Sequence, residues 1–393
     1  MRSRNVPILS ISQAVGMSGP PIVVLLGGII GSDLAPSPPW ATLPVSIMVV
    51  GVALFTIPAA LLMKRIGRRL GFMIATVVAS LAALLAAYAV ARGSFFLFCV
   101  ATLFIGANGA FVQQYRFAAT ESVETRYSGR AVSFVLLGGI LAGYLGPELA
   151  KRTKDWLAAG MYTGSFVSLA LLYAAVTALL YSLKDVAPQE GEVSGGERPL
   201  REIVAQPIYL VAVLAGAVSY GVMSFIMTAT GVYLHKLHGY NLEQTAWVIQ
   251  GHIIAMYLPS LFTGIVLERL GVLRVMVVGL LCMFTCAILG VVSRELIHFL
   301  GALVLLGAGW NFLFVGGTVL LTRSYLPPER FKAQAINDFT IFGIQAFASL
   351  SAGTVLFYAN WDILNLISLP FLLLTFAAIL LLRQQITPMA SKA

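Results

Sequence analysis

The sequence predicts an all-α membrane protein of twelve transmembrane helices arranged as two six-helix pseudo-repeats. Three observations predict this. Hydrophobic residues make up 59% of the 393 and charged residues only 10%, with a mean hydropathy of +0.90. Apolar runs of about 20 residues, the length that crosses a hydrocarbon core, recur along the chain. An Arg-x-Gly core also returns at about half the chain length: Arg65-Ile66-Gly67 in one polar turn, Arg269-Leu270-Gly271 in another. Such an offset marks an internal repeat of six spans per half.

The spans are expected at 6–31, 41–63, 70–91, 94–117, 130–150, 159–183, 206–234, 243–267, 272–293, 297–322, 333–358 and 362–383. Span 1 carries Ser18-Gly19-Pro20-Pro21. Proline removes backbone donors and interrupts the helical ladder. A discontinuity at membrane depth must sit inside protein or beside water, so a packing kink and a substrate-side role both fit. Span 5 holds Gly138-Gly139-Ile140-Leu141-Ala142-Gly143-Tyr144-Leu145-Gly146-Pro147, whose small residues at four-residue spacing let helix backbones approach closely. The six-helix halves are expected at 1–183 and 205–393, the second carrying the candidate metal site. Residues 184–204 between them are polar and rich in Gly, Pro and charge, which reads as a flexible cytoplasmic linker.

The placement of the 25 Lys and Arg residues orients the chain. With the N-terminus inside, 18 fall in inner loops and tails, and six (Arg92, Lys151, Arg152, Lys154, Lys236, Arg294) fall outside. Arg116 lies near the inner end of span 4. This bias puts both termini in the cytoplasm. The net charge of +9 therefore serves topology, and the partner it implies is the lipid bilayer rather than nucleic acid. Cys99, Cys282 and Cys286 all lie in apolar segments, so no extracellular disulfide framework is expected. The N-terminus shows no small-residue cleavage site and reads as an uncleaved first helix. A monomer is expected.

Chemistry concentrates in spans 7 and 8. Met223 with Met227, and His252 with Met256, are i,i+4 pairs on two segments joined by a short polar turn. Each pair projects from one helix face, and the two match in depth, in the outer-to-middle part of the membrane. Thioethers select Cu(I), and imidazole also suits copper. An intramembrane histidine is a functional-site candidate by default, while a methionine stripe commonly fills core gaps; metal binding and packing are both open on these residues. His235 and His238 at the outer mouth are accessory metal candidates or solvated interfacial histidines. Cys282 and Cys286 are an accessory relay pair or small buried hydrophobes. Arg116 and Asp338, near the inner ends of their helices, make an inner-gate contact or separate solvated contacts. The chain carries no zinc-protease His-Glu-x-x-His, phosphate-binding glycine loop or nucleophile elbow, so an enzyme is not expected.

In the turn after span 2, Arg65, Gly67, Arg68 and Arg69 match the G-x-x-x-D-R-x-G-R-R/K signature of the major facilitator superfamily, which the chain resembles over its whole length. Ala60 and Lys64 replace the signature's glycine and acid, and Glu268 with Arg269 holds the matching place in the second half. The resemblance implies a gate built by Lys64, Arg65, Arg68, Arg116, Glu268, Arg269 and Asp338. Within that superfamily, Met223, Met227, His252 and Met256 resemble the metal pairs of the bacterial CcoA-type copper importers. Gln113-Gln114-Tyr115-Arg116-Phe117, Gly309-Trp310-Asn311-Phe312 and Gln334-Ala335-Ile336-Asn337-Asp338-Phe339 are shared with the neighbouring riboflavin transporters. The expectation is a secondary importer of copper, as Cu(I), across the bacterial inner membrane. It would act without a resident cofactor, with copper as cargo, to supply cytochrome oxidase assembly through a downstream copper chaperone. The alternative is a carrier of riboflavin or another organic solute, with Tyr115, Trp310, Asn311 and Asn337 lining the cavity.

Overall fold

The computed structural model describes residues 4–123, 128–184, 198–326 and 329–386. Among these residues the chain is helical with no strand. Among the described residues, fifteen helices build the twelve expected spans and one short helix lies between the halves. Span 1 is α1 (Asn5–Gly16) and α2 (Gly19–Leu34); spans 2 and 3 are α3 (Leu43–Ile66) and α4 (Arg68–Ala91). Span 4 is α5 (Phe95–Val112) and α6 (Tyr115–Glu121); spans 5 and 6 are α7 (Ser128–Thr153) and α8 (Thr163–Tyr181). After a short α9 (Leu200–Val204), span 7 is α10 (Pro207–Val232), continued by a π turn over Tyr233–Leu237. Span 8 is α11 (Leu242–Tyr257) and α12 (Ser260–Leu270). Spans 9 to 12 are α13 (Val272–Val292), α14 (Leu296–Thr322), α15 (Arg330–Tyr358) and α16 (Trp361–Ile386). Among the described residues, eleven spans are long and apolar enough to cross a bilayer on length and composition alone. The twelfth, α7, ends in the polar run of Glu148, Lys151 and Arg152.

The repeat seen in the sequence reappears as geometry. Gly67 between α3 and α4 has φ 84° and ψ 158°; Gly271 between α12 and α13 has φ 82° and ψ 151°. Both sit in a backbone region that only glycine enters without strain. The same sharp turn therefore closes spans 2 and 8.

Three spans are broken: span 1, where its double proline predicts an interruption, and spans 4 and 8, where the sequence suggested continuous helices. Span 1 breaks at Met17-Ser18, just before Pro20-Pro21, and span 4 breaks at Gln113-Gln114. Span 8 breaks at Leu258-Pro259, and there Asn311 of α14 supplies what the helix lost. Its Nδ2 donates to the Met256 carbonyl at 2.7 Å and to Ser260 Oγ at 2.6 Å, and its Oδ1 accepts from Thr263 Oγ1 at 2.9 Å. Irregular backbone at this depth is tolerated when protein groups satisfy it in this way.

Among the described residues the two halves meet on the face opposite the termini and near mid-membrane. On the face opposite the termini, Gly28 packs on Val232, and Gly353 packs on Thr42. Ser46 Oγ donates to the Ser349 carbonyl at 2.7 Å, and Lys236 bridges to Asp33 at 2.6 Å. Near mid-membrane, Gly139 and Gly143 of α7 admit Tyr257 and Ile253 of α11. The opposite face of α7 uses Gly138 and Gly146 to admit the backbone around Ser10, Ala14 and Ser18 of span 1. The glycine pattern of span 5 thus serves two close helix contacts at once, one within its half and one across. On the terminal face the buried apolar residues of the first half, among them Leu9, Phe72, Tyr115 and Leu180, form a core of their own. Among the described residues the halves are joined on the face opposite the termini and parted on the terminal face.

The described end of the linker is anchored to the second half. Arg198 bonds Glu329 through its backbone N–H, Nε and Nη2, at 2.7–2.9 Å, and Nη2 also reaches the Ser324 carbonyl. Glu329 is fully buried. The Arg198 guanidinium holds its carboxyl well below the usual range, at about 2.

Candidate functional site

The parted face leads to mid-membrane, where four helices of the second half bring aromatic rings together. Tyr220 lies halfway along α10, and Trp310 and Phe314 lie one turn apart on α14. Trp310 and Phe314 are nearly parallel, 5.3 Å apart and inclined by 18°. Tyr220 stands edge-on to Trp310, Phe314 and Phe342, at 5.1, 5.0 and 5.7 Å. Tyr257 of α11 meets Trp310 edge-on at 6.3 Å and packs on Gly139 of the first half. These are the offset and edge-to-face geometries that aromatic quadrupoles favour.

Polar groups surround this cluster. The Trp310 indole N–H is buried without a hydrogen-bond partner. Arg116 of the first half and Asp338 of α15 both lie within electrostatic reach of Tyr220 and of each other. Asn337 Nδ2 donates to Asp338 Oδ1 at 3.0 Å, and Gln345 Nε2 donates to Ser224 Oγ at 2.8 Å. Rings and an unused donor at mid-membrane, with two opposite charges toward the inner ends of their helices, suit a planar heteroaromatic solute with polar edges.

The residues singled out in the sequence divide between this site and the scaffold. Trp310, Arg116, Asp338 and Asn337 belong to the site. Tyr115 does not: it is fully buried in the first half, edge-on to Phe72 at 4.6 Å. Asn311 is committed to the span 8 break. Tyr220, Tyr257, Phe314 and Phe342 were missed; Trp310 and Phe314 at i,i+4 spacing were the available signal.

Met223, Met227 and Met256 belong to the buried apolar core. The helices that carry the soft pairs, α10 and α11, are not packed along one another; each packs on α14. His252 is 1% exposed, and its Nδ1–H donates to the Leu303 carbonyl of α14 at 2.8 Å. His235 donates from Nδ1 to the Tyr240 carbonyl at 2.8 Å, and His238 from Nε2 to the Arg294 carbonyl at 3.1 Å. Cys286 is buried and Cys282 half-buried on α13, with Cys282 Cβ against Gly309. Arg65 and Arg269 are exposed, and Arg68 reaches Gln114 Oε1 at 3.5 Å beside the span 4 break. The side chains of Lys64 and Glu268 lie outside the described residues.

Comparison with known proteins bears on the cargo. The model of the Major Facilitator Superfamily matches residues 8–258 and 213–392. The chain is 39% identical over 380 residues to the Riboflavin transporter RfnT of Brucella anthropi, covering 96% of this chain and 95% of that one. It is 27% identical over 380 residues to the uncharacterized MFS-type transporter YdeG of Bacillus subtilis, covering 93% and 88%. The fold is similar to the crystal structure of a bacterial homologue of the human lysosomal transporter Spinster, solved inward-facing and unoccupied. The TM-score is 0.75 at 14% identity, with 97% of each chain covered.

The copper expectation is corrected by these findings. A relative this similar over nearly the whole of both chains is a riboflavin transporter. The i,i+4 pairs on spans 7 and 8 suggested a shared metal point because the spans are consecutive. In the fold, however, α14 is the helix each of them packs on.

Proposed function

Because this chain belongs to the major facilitator superfamily, we propose that it carries riboflavin across the bacterial plasma membrane by alternating access. The observation that carries this reading is the 39% identity to the Riboflavin transporter RfnT over 96% of the chain. The Lys and Arg bias places the termini in the cytoplasm, so the parted face is the cytoplasmic one and the conformation is open inward. The flavin ring stacks among Trp310, Phe314, Tyr220 and Phe342. Stacking on aromatic side chains contributes about 1–3 kcal/mol per heterocycle, enough for selective capture and weak enough for release. The Trp310 N–H answers a ring carbonyl or nitrogen. Arg116 and Asp338, on opposite halves, sense closure around the solute. Rocking of one half against the other then carries the site from one face to the other.

The test is uptake of radiolabelled riboflavin by a bacterium that cannot make riboflavin and lacks its own carrier. Expression of this chain is expected to restore uptake and growth at low riboflavin. If the protein is present in the membrane and uptake stays at background, the assignment fails.

A further inference from the structure

The first half contains a polar cluster for which riboflavin transport gives no use. It surrounds the break in span 1. Pro20 and Pro21 have no N–H, so the carbonyls of Gly16 and Met17 lose the donors of an unbroken helix. The Tyr173 hydroxyl of α8 presses on the break: a Cβ on Gly19 would lie 2.1 Å from it and 3.2 Å from Ile105 Cγ2. Only glycine permits that approach. Asn108, one turn along α5 from Ile105, lies beside the Tyr173 hydroxyl, and Tyr115 of α6 lies beside Tyr173 and Gly16. Ser12 shares the helix face of Gly16 on α1, at i,i+4.

Ser12, Tyr115 and Tyr173 are 0% exposed and Asn108 is 2% exposed or less. Ser12 Oγ, both side-chain polar atoms of Asn108, and the hydroxyls of Tyr115 and Tyr173 have no partner at hydrogen-bond distance, although Asn108 and the Tyr173 hydroxyl are near enough to attract one another. Buried polar atoms without partners carry a desolvation cost of about 1–3 kcal/mol each, and native proteins meet that cost with water or an ion. Here the Tyr115 and Tyr173 hydroxyls and the Asn108 amide lie about a break with two freed carbonyls, and Ser12 lies one turn before Gly16.

We propose that this cluster is a binding site for a monovalent alkali cation, with sodium the fitting member. The ligand set is all oxygen, which suits a hard cation. It holds no carboxylate: the acidic residues of the first half (Asp33, Glu121, Glu124, Glu148 and Asp155) lie toward the ends of the spans or in loops. A divalent ion would remain uncompensated among neutral ligands, whereas a single charge is held by carbonyl, amide and hydroxyl dipoles. An occupied site braces the span 1 break and so links the ion to the helix that contacts both halves.

The test uses the purified full-length protein without riboflavin, so its outcome is independent of the cargo assignment. Thermal unfolding is followed while sodium replaces choline at constant ionic strength. Sodium is expected to raise the midpoint saturably, by about 2–5 °C at a hundredfold excess over its dissociation constant. Tyr173→Phe and Ser12→Ala each remove an unpartnered hydroxyl. Both variants are expected to be as stable as the parent in choline and to lose most of the sodium response. Asn108→Asp adds a charge to the cluster and is expected to tighten the sodium response at least tenfold. Equal midpoints in sodium and choline for the parent would overturn the site and leave the cluster to water. A full sodium response in folded Tyr173→Phe and Asn108→Ala would overturn it too.

Discussion

Spans 1 and 8 are both interrupted by proline near mid-membrane, and the two halves handle the interruption in opposite ways. At Pro259 the side chain of Asn311 makes three hydrogen bonds across the break, one to the freed Met256 carbonyl and two to the Ser260 and Thr263 hydroxyls, all between 2.6 and 2.9 Å. At the span 1 break Ser18 Oγ donates to the Ala14 carbonyl at 2.9 Å, but Ser12, Asn108, Tyr115 and Tyr173 are buried with polar atoms that lack a partner at hydrogen-bond distance. One break is finished by the protein; the other waits for something the protein does not supply. A helix broken in the membrane is therefore not functional by itself. What separates scaffold from site is whether the neighbouring polar groups are already spent.

The largest effect is expected from removing the finished brace. Asn311→Ala removes the side-chain partner of the Met256 carbonyl and the bonds to the Ser260 and Thr263 hydroxyls, and should destabilise the protein by about 1–3 kcal/mol. Thermal unfolding in detergent should show it, while Asn108→Ala in choline shifts the midpoint by less than about 1 kcal/mol. Similar losses in both variants would erase the contrast between the two breaks. Next comes Trp310→Ala in the second-half cluster. Loss of one stacking ring should weaken riboflavin binding by roughly 5- to 150-fold, read by titration of the purified protein. Trp310→Phe should recover part of that loss.

A smaller effect is expected at the linker clasp, and it depends on pH. The folded Glu329 carboxyl titrates at about 2, below its ordinary 4.5. A depressed acid stabilises the fold fully above 4.5, and that contribution is lost as pH falls toward 2. The parent should therefore lose stability across this window more steeply than Glu329→Gln, which should also be less stable at neutral pH. The smallest effect belongs to the seal opposite the termini. Lys236 and Asp33 are partly exposed, and such pairs contribute about 0.2–1 kcal/mol. Asp33→Asn should shift the population toward the state open at that face by at most about fivefold. Spin-label distances between α2 and α10 measure this directly.

The fold was legible because its signals are local. Apolar runs mark the spans, and Arg65-x-Gly67 and Arg269-x-Gly271 mark the repeat, down to a shared positive φ at both glycines. The double proline of span 1 announced its break. Pro259 did the same for span 8 but passed unread, and the span 4 break at Gln113-Gln114 has no proline to announce it. The site was less legible because it depends on which helices touch. His252 and Met223 are near in the chain and match in depth, yet their helices are not packed along one another. Tyr220 and Trp310 are 90 positions apart in the sequence and meet at 5.1 Å. Asn311 was expected to line the cavity in the organic-solute alternative. Only the fold shows that its bonds are already committed to the span 8 break.

Equilibrium titration of riboflavin into the purified protein, followed by flavin fluorescence, tests the assignment of cargo and site together. Saturable quenching that weakens at least fivefold in Trp310→Ala is the predicted result. A folded, monodisperse preparation that leaves flavin emission unchanged at every concentration, or one quenched equally well by the parent and Trp310→Ala, would contradict it.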